Sequence, residues 1–290
     1  MFSKIRILCI LIRGKVINTK NYMKRNLLLL CLLFAISLLS VHAQTKVVPI
    51  LEMKVGGLLG GVENGKFLDP KATAARLKGS TTYSLFSMMG KEEGEMTGAK
   101  PKNDQDVCDD FFYVELEPKA DNGVALGDGF RWNPVPRIPK ALSLTDKTYL
   151  KAAADFLRTK GIITAKPVLT QLYRVDLEGD GQEEVILTAT KYSGETGASA
   201  KKGDYSFTVL RKMAAGKVKT ILLGGEFITK GFPFGAPNTY WVSAVMDLNG
   251  DGKLEIVHNA SYYEGSGTAV YQMIRGAAVE IKALGAACGV

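Results

Sequence analysis

Two short acidic segments carry the residue types best suited to binding a hard metal ion. They read DLEGDGQEE at residues 176–184, which we call loop A, and DLNGDGKLE at residues 247–255, which we call loop B. Each has oxygen-bearing side chains at positions 1, 3, 5 and 9 and a glycine at position 6. A short loop with this spacing can wrap around a cation and present several oxygen ligands to it.

Calcium is the cation that these loops are expected to bind. Acidic side chains on one short loop repel each other by a few kcal/mol per close pair at an effective dielectric constant of about 20, and a cation relieves the repulsion. A mixture of carboxylate, carbonyl and water ligands favours Ca²⁺ over Mg²⁺, at affinities of about 10⁻⁴–10⁻³ M. Loop B has Asn249 where loop A has Glu178, so the number of ionised ligands predicts weaker binding to loop B. The alternative is a pair of solvated acidic turns that bind no metal.

The loops belong to an internal repeat. Residues 176–194 and 247–265 align without a gap, with nine identities in nineteen positions, and the match continues well past the acidic loop. Each copy is predicted to form four strands, with the acidic loop joining the first two. The predicted strands are 171–175, 184–192, 205–211 and 217–223 in the first copy, and 240–246, 254–262, 268–274 and 278–284 in the second.

An EF-hand is excluded because position 12 is Leu187 or His258 rather than glutamate, and the flanks are strands. The loops instead resemble those of FG-GAP/VCBS-type repeats, the integrin-α-like units whose acidic hairpins bind Ca²⁺. The resemblance covers residues 171–290 and implies two blade-like sheets, because a closed propeller needs about four blades. It implies these side-chain ligands: Asp176, Glu178, Asp180, Glu184, Asp247, Asn249, Asp251 and Glu255. It also implies main-chain oxygen ligands from Gln182 and Lys253.

Residues 1–43 are predicted to be a signal peptide that is cleaved before Gln44. Either translation starts at Met23 or the basic region is unusually long (residues 1–22 being an extension), and we favour the first. The apolar run 27–41 is shorter than the roughly 20 residues of a membrane-spanning helix, so no transmembrane segment is expected in the mature chain. The exported protein would be periplasmic, cell-surface or secreted.

The charge of the mature chain argues against a nucleic-acid partner. Residues 1–43 carry seven Lys or Arg and no acidic side chain, so 30 basic and 29 acidic residues remain, with a net charge of +1.

Two cysteines remain in the mature chain, Cys108 and Cys288, and in an oxidising compartment they are expected to form a disulfide; two separate thiols are the alternative. Only one histidine remains, His258, so a His-rich zinc site is excluded. His258 is expected to pack in its strand as Leu187 does in the first copy.

The predicted fold class is β-rich, all-β to α+β. It comprises an N-terminal β-rich region at 44–132, a Pro-rich linker at 133–140, and a helix plus the two repeats (171–223 and 240–284) within 141–290. Helices are expected at 70–78 and 145–160. Residues 91–106 are polar and are predicted to form a long loop.

The segment between the repeats supplies possible ligand contacts in Phe232, Phe234, Tyr240 and Trp241. Exposed rings there would stack on a sugar or a peptide, and the alternative is that they fill the core. The expected function is that of an exported calcium-binding module, binding or structural, for a protein or glycan partner. The alternative is a metal-assisted hydrolase that uses carboxylates near the calcium loops.

Overall fold

The structure is a computed structural model, and it describes residues 46–103, 107–163, 166–194 and 197–289. The predicted signal peptide and the choice between Met1 and Met23 lie outside these residues. The described chain is rich in antiparallel strands and has two helices, which confirms the predicted β-rich class. In this part of the chain, no helix is long and apolar enough to cross a membrane.

The first of three sheets takes up residues 48–127, the region predicted to be β-rich. Its strands run in the order β6-β7-β2-β1-β9-β4-β5-β8, and β3 pairs with β2. A seven-residue helix, α1 (Pro70–Arg76), follows β3, and its first turn is capped by the Asp69 carboxylate. The strands are β1 (Val48–Glu52), β2 (Gly57–Glu63), β3 (Lys66–Leu68), β4 (Thr81–Ser87), β5 (Gly90–Gly98), β6 (Lys102–Asn103), β7 (Phe112–Tyr113), β8 (Leu116–Glu117) and β9 (Val124–Gly127).

The second and third sheets are the two repeats, and each is an antiparallel meander with its strands in chain order. All eight predicted repeat strands are confirmed. Helix α2 (Lys147–Thr159) precedes them and also matches its prediction. The second sheet contains β10 (Lys140–Ala141), β11 (Leu169–Val175), β12 (Glu184–Lys191), β13 (Tyr205–Ala214) and β14 (Lys217–Phe227). The third contains β15 (Thr239–Met246), β16 (Glu255–Tyr262), β17 (Gly265–Ile274) and β18 (Ala277–Gly289).

The predicted loop at 91–106 is wrong over most of its length, and residues 104–106 lie outside the described ranges. Strand β6 occupies Lys102–Asn103, and the longer strand β5 occupies Gly90–Gly98. This strand pairs with β4 along its length but with β8 only at Thr97 and Gly98. Most of it therefore has a single neighbour and carries exposed polar residues, while Met96 faces the core. A strand at a sheet edge lacks the apolar alternation on which the prediction depended.

The third sheet lies between the other two and is buried on both faces. One apolar cluster joins it to the first sheet and a second cluster joins it to the second sheet, while α2 covers the opposite face of the second sheet. Buried side chains of the first cluster include Ile50, Leu59, Met246, Val257 and Ile281. Those of the second include Leu177, Ile186, Leu210, Val245 and Ile256. Alternate residues of β15 and β16 thus serve different interfaces.

Two polar links also connect the first and third sheets. Cys108 and Cys288 form the predicted disulfide, with Cα atoms 5.6 Å apart and 180 residues between them in sequence. The Asn259 side chain donates a 2.9 Å hydrogen bond to Glu52, and both residues are fully buried. Burial raises the pKa of Glu52, which favours its neutral form in this position.

Candidate metal centre

Loops A and B share one backbone conformation, and the aspartate at position 1 organises it. In loop A the Asp176 carboxylate accepts hydrogen bonds from the N–H groups of Gly179 and Gly181, at 2.7 and 2.9 Å. Position 6 has a φ of +84° in loop A and +81° in loop B, which glycine adopts without steric cost. The equivalent bonds of loop B join Asp247 to Gly250 and Gly252, again at 2.7 and 2.9 Å.

The glutamate at position 9 closes each loop from the other side. Glu184 accepts a 3.0 Å hydrogen bond from the N–H of Leu177, and Glu255 accepts a 2.8 Å bond from the N–H of Leu248. Both glutamates are buried at the start of the second strand of their sheet. Each glutamate uses its Oε2 atom for this bond, so its Oε1 atom is the one left to contact a cation.

The two loops lie side by side. The N–H of Leu254 in loop B donates a 2.8 Å hydrogen bond to the carbonyl of Leu177 in loop A. The Arg137 guanidinium bridges both loops, because it donates to the Asp176 and Leu177 carbonyls of loop A and to the Gly252 carbonyl of loop B. The shortest bond to each loop is 2.6 and 2.7 Å respectively. One arginine thus holds the two hairpins in a fixed relation.

The segment that carries Arg137 also covers loop B, and we call residues 132–137 the crossing segment. Trp132 donates its indole N–H to the Asp247 carbonyl at 2.8 Å, and the Asp247 N–H donates to the Pro134 carbonyl at 2.8 Å. The Trp132 ring packs closely over Gly250, where a Cβ would lie 3.1 Å from it, a tight approach. The segment predicted to be a linker is therefore built into the candidate site.

Sequence reasoning missed Trp132 and Arg137. Their partners are backbone carbonyls on loops more than thirty residues away, and no local pattern marks such contacts. The sequence did hold one clue. Trp132 and Arg137 are hydrogen-bond donors in a Pro-rich stretch, where few regular backbone partners are expected, so more distant acceptors could have been sought.

The ammonium group of Lys212, from the neighbouring strand β13, places a cation against loop A. This side chain of β13 is only 9% exposed. Its Nζ forms a hydrogen-bonded ion pair with Glu178 and lies 3.6 Å from Glu184, so it sits between positions 3 and 9. Burial lowers the pKa of Lys212, but the bond to Glu178 and the charges of both glutamates outweigh burial and leave the pKa raised. Lys212 is therefore charged at neutral pH.

Loop B has no such cation. None of the ion pairs in the described chain involves Asp247, Asp251 or Glu255. Glu255 is 0% exposed, and its Oε1 is buried without a hydrogen-bond partner. Burial, together with the charges of Asp251 and Asp247, raises the pKa of Glu255 to about 8. A carboxylate in this position lacks a compensating charge.

The aspartates at position 5 of the two loops, Asp180 and Asp251, would have to turn inward before either loop could surround an ion. In the described ranges, no three His, Cys, Asp or Glu side chains are already gathered closely enough to hold a metal. At position 5, Asp180 and Asp251 are exposed and cap the N–H groups of Gln182 and Lys253 at position 7. Each of these carboxylate oxygens keeps a second lone pair, so the residues fit a cation once the exposed position-5 side chains turn inward.

The four aromatic residues predicted to contact a ligand do not form one surface. Phe234 is 69% exposed, whereas Phe232 is half-buried, and its backbone pairs with that of Ala200. Tyr240 stacks on the buried His258, with ring centroids 5.5 Å apart. Trp241, the next residue along β15, lies under the Lys54 ammonium at 4.3 Å.

No protein-family model, curated protein or solved structure matches this chain. The likeness of loops A and B to FG-GAP/VCBS-type loops therefore rests on their residues and spacing alone.

Proposed function

We propose that this chain is an exported calcium-binding β-repeat protein that acts as a binding or structural module for a protein or glycan partner. The calcium ion would occupy loop B and tie the β15–β16 hairpin together. Its ligands would be the side chains of Asp247, Asn249, Asp251 and Glu255 and the main-chain oxygen of Lys253.

The observation that carries the calcium proposal is the unpartnered Oε1 of Glu255. A buried carboxylate oxygen with no donor costs free energy, because it has lost its water without gaining a hydrogen bond. Two further carboxylates of the same loop, Asp247 and Asp251, raise that cost through repulsion. A divalent cation between the three would remove both penalties, and the exposed Asp251 gives the ion a route from solvent.

The ligand chemistry favours calcium over magnesium. Loop B offers carboxylate, amide and carbonyl oxygens, a ligand set that suits the six to eight oxygen ligands that Ca²⁺ accepts. Magnesium requires a compact octahedron and gives up its waters reluctantly. The Cys108–Cys288 disulfide supports the exported part of the proposal, because such bonds persist in oxidising compartments.

Thermal unfolding tests the proposal. A ligand that binds only the folded state at about ten times its dissociation constant stabilises that state by about 1.4 kcal/mol. For a chain of this size we expect a rise in Tm of about 3–5 °C with Ca²⁺ relative to EDTA, and a smaller rise with equal Mg²⁺. Glu255→Gln keeps the shape of the side chain but removes its charge, and it should abolish the response to Ca²⁺.

Glu280→Gln is the matched control, because Glu280 lies on β18 in the same sheet but outside both loops. This variant should respond to Ca²⁺ as the wild-type chain does. An equal response to Ca²⁺ in the Glu255→Gln variant would contradict the assignment of the ion to loop B.

We prefer a binding or structural role to the metal-assisted hydrolase because of where two clefts of the molecule lie. A hydrolase of that kind needs a substrate cleft beside the ion. Two clefts, of about 570 and 750 Å³, are lined by residues outside both loops. Among the predicted ligand contacts, the exposed Phe234 ring is the most accessible to a partner.

A further inference from the structure

We propose that loops A and B are no longer equivalent: the Lys212 ammonium permanently takes the place of a metal ion in loop A, and loop B alone binds a divalent cation. This inference deepens the proposed function and rests on it. It also reverses the order of affinities predicted from the number of acidic ligands, because that count did not include a cation supplied by the chain.

The position of Lys212 supports its role as a built-in cation. A metal in loop A would need an oxygen from Glu178 at position 3 and one from Glu184 at position 9. Both groups already face the same ammonium, through the hydrogen bond from Lys212 to Glu178 and the 3.6 Å approach to Glu184. A divalent ion would have to displace a buried, paired lysine, and that would leave the ammonium without a counterion.

Arg137 brings a second positive charge close to loop A. Its guanidinium donates to the Asp176 and Leu177 carbonyls, and the Asp176 carboxylate itself accepts three backbone N–H bonds within the loop. Arg137 touches loop B only through the Gly252 carbonyl. Loop A thus has Lys212 to itself and shares Arg137 with loop B, and these positive charges reduce its attraction for an external cation.

Strand register identifies the residue that occupies the place of Lys212 in the other repeat. Val185 pairs with Arg211 in the second sheet, and Ile256 pairs with Tyr271 in the third. The strands are antiparallel, so one step back on β12 is one step forward on β13, which places Glu184 level with Lys212. The same step on β16 and β17 places Glu255 level with Gln272. Glutamine carries no charge, so the position-9 glutamate of loop B faces a neutral neighbour where that of loop A faces a cation.

A reciprocal exchange of these two residues tests the inference. We would follow the backbone N–H signals of Gly181 and Gly252, the position-6 glycines, in two-dimensional NMR spectra of the exported chain during titration with CaCl₂. In the wild-type chain, Gly252 should show a saturable shift and Gly181 should show none. In Lys212→Gln both signals should shift with saturation, and in Gln272→Lys neither should.

A control is needed because the loops touch, so that Ca²⁺ in loop B could shift the Gly181 signal indirectly. Adding Asp247→Asn to Lys212→Gln removes a ligand of loop B, and only the Gly181 shift should then remain. Saturable, independent shifts of both glycines in the wild-type chain would overturn the role of Lys212 but leave calcium binding intact. A Gly181 signal that stays silent in Lys212→Gln would also overturn it. If Gly252 does not respond in the wild-type chain, the calcium proposal itself fails. Because Gln272→Lys does not alter loop A, its result stands even if Lys212→Gln is unstable.

Discussion

His258 is a buried titratable residue in a position where the first repeat has leucine. It is buried on β16, as its counterpart Leu187 is on β12, which confirms that it packs as a strand residue. Its ring lies 5.5 Å from Tyr240 and 5.9 Å from Tyr271, and its Nε2 has no hydrogen-bond partner. Burial lowers the pKa of His258 to about 4. The histidine is therefore neutral in the folded state at every pH near 7.

We predict that His258→Leu makes the protein less sensitive to acid. Between pH 6.5 and 4, the unfolded chain protonates this histidine and the folded chain does not. Wild-type stability therefore falls as pH falls through that window, by up to about 3 kcal/mol from this residue. Neither Tyr240 nor Tyr271 titrates there, since burial raises the pKa of both. Urea unfolding at pH 7, 6, 5 and 4.5 should show the advantage of the variant growing as pH falls, and parallel curves would contradict this.

At the scale of elements, the crossing segment 132–137 fixes the positions of the two acidic hairpins. It has no regular secondary structure, yet it supplies the only side chain in the described residues whose hydrogen bonds reach both loops, Arg137. Trp132 and Pro134 add bonds to the backbone of Asp247. Because its backbone is not committed to a sheet, this proline-containing segment can satisfy carbonyls that the hairpins leave unpaired.

We predict that Arg137→Ala destabilises the folded state by about 1–3 kcal/mol. The variant leaves carbonyls of Asp176 and Gly252 without their charged donor, and bonds of this type contribute about 1.5–3 kcal/mol in favourable cases. Arg131→Ala is the matched control, because Arg131 directly precedes the crossing segment and is exposed. Urea unfolding at neutral pH should separate the two variants, and equal stabilities would show that the bridge has no energetic role.

The repeat strands were predictable because their signals are local. Apolar alternation marks each strand, and a glycine lies just past the end of two strands, at Ala215-Gly216 and Arg275-Gly276, where all four residues have positive φ in tight turns. The pairing of Lys212 with Glu178 was not predictable in the same way. It depends on the register between β12 and β13 and on which way a long side chain turns at the end of a strand, and neither is encoded in a short sequence window.

At the scale of the whole molecule, the third sheet is the centre of the fold. It packs against the first sheet on one side and the second on the other, and its last strand carries Cys288. The buried Asn259–Glu52 hydrogen bond and the disulfide both link this sheet to the first part of the chain, one from β16 and the other from β18. Loss of either sheet would expose one apolar face of the third, so the three sheets are expected to unfold together.

We predict that Cys108→Ser with Cys288→Ser lowers the free energy of unfolding by 2–5 kcal/mol. The bridge closes a loop of 180 residues, and the chain-entropy model assigns about 5 kcal/mol to a loop of this length, less any strain. Urea unfolding should show the loss, and the wild-type chain treated with reductant should match the double variant. A reductant effect that persists in the double variant would point to another cause.

The same disulfide changes what a cut in the backbone does to the molecule. The covalent ring between Cys108 and Cys288 encloses α2, both repeats, both acidic loops and the crossing segment. A protease that cleaves an exposed turn inside the ring, such as that at Ala215-Gly216, produces two polypeptides that remain one particle. Because the flanking strands stay paired with their neighbours, such nicked molecules would keep their core, and the two pieces would separate only when a denaturant and a reductant act together.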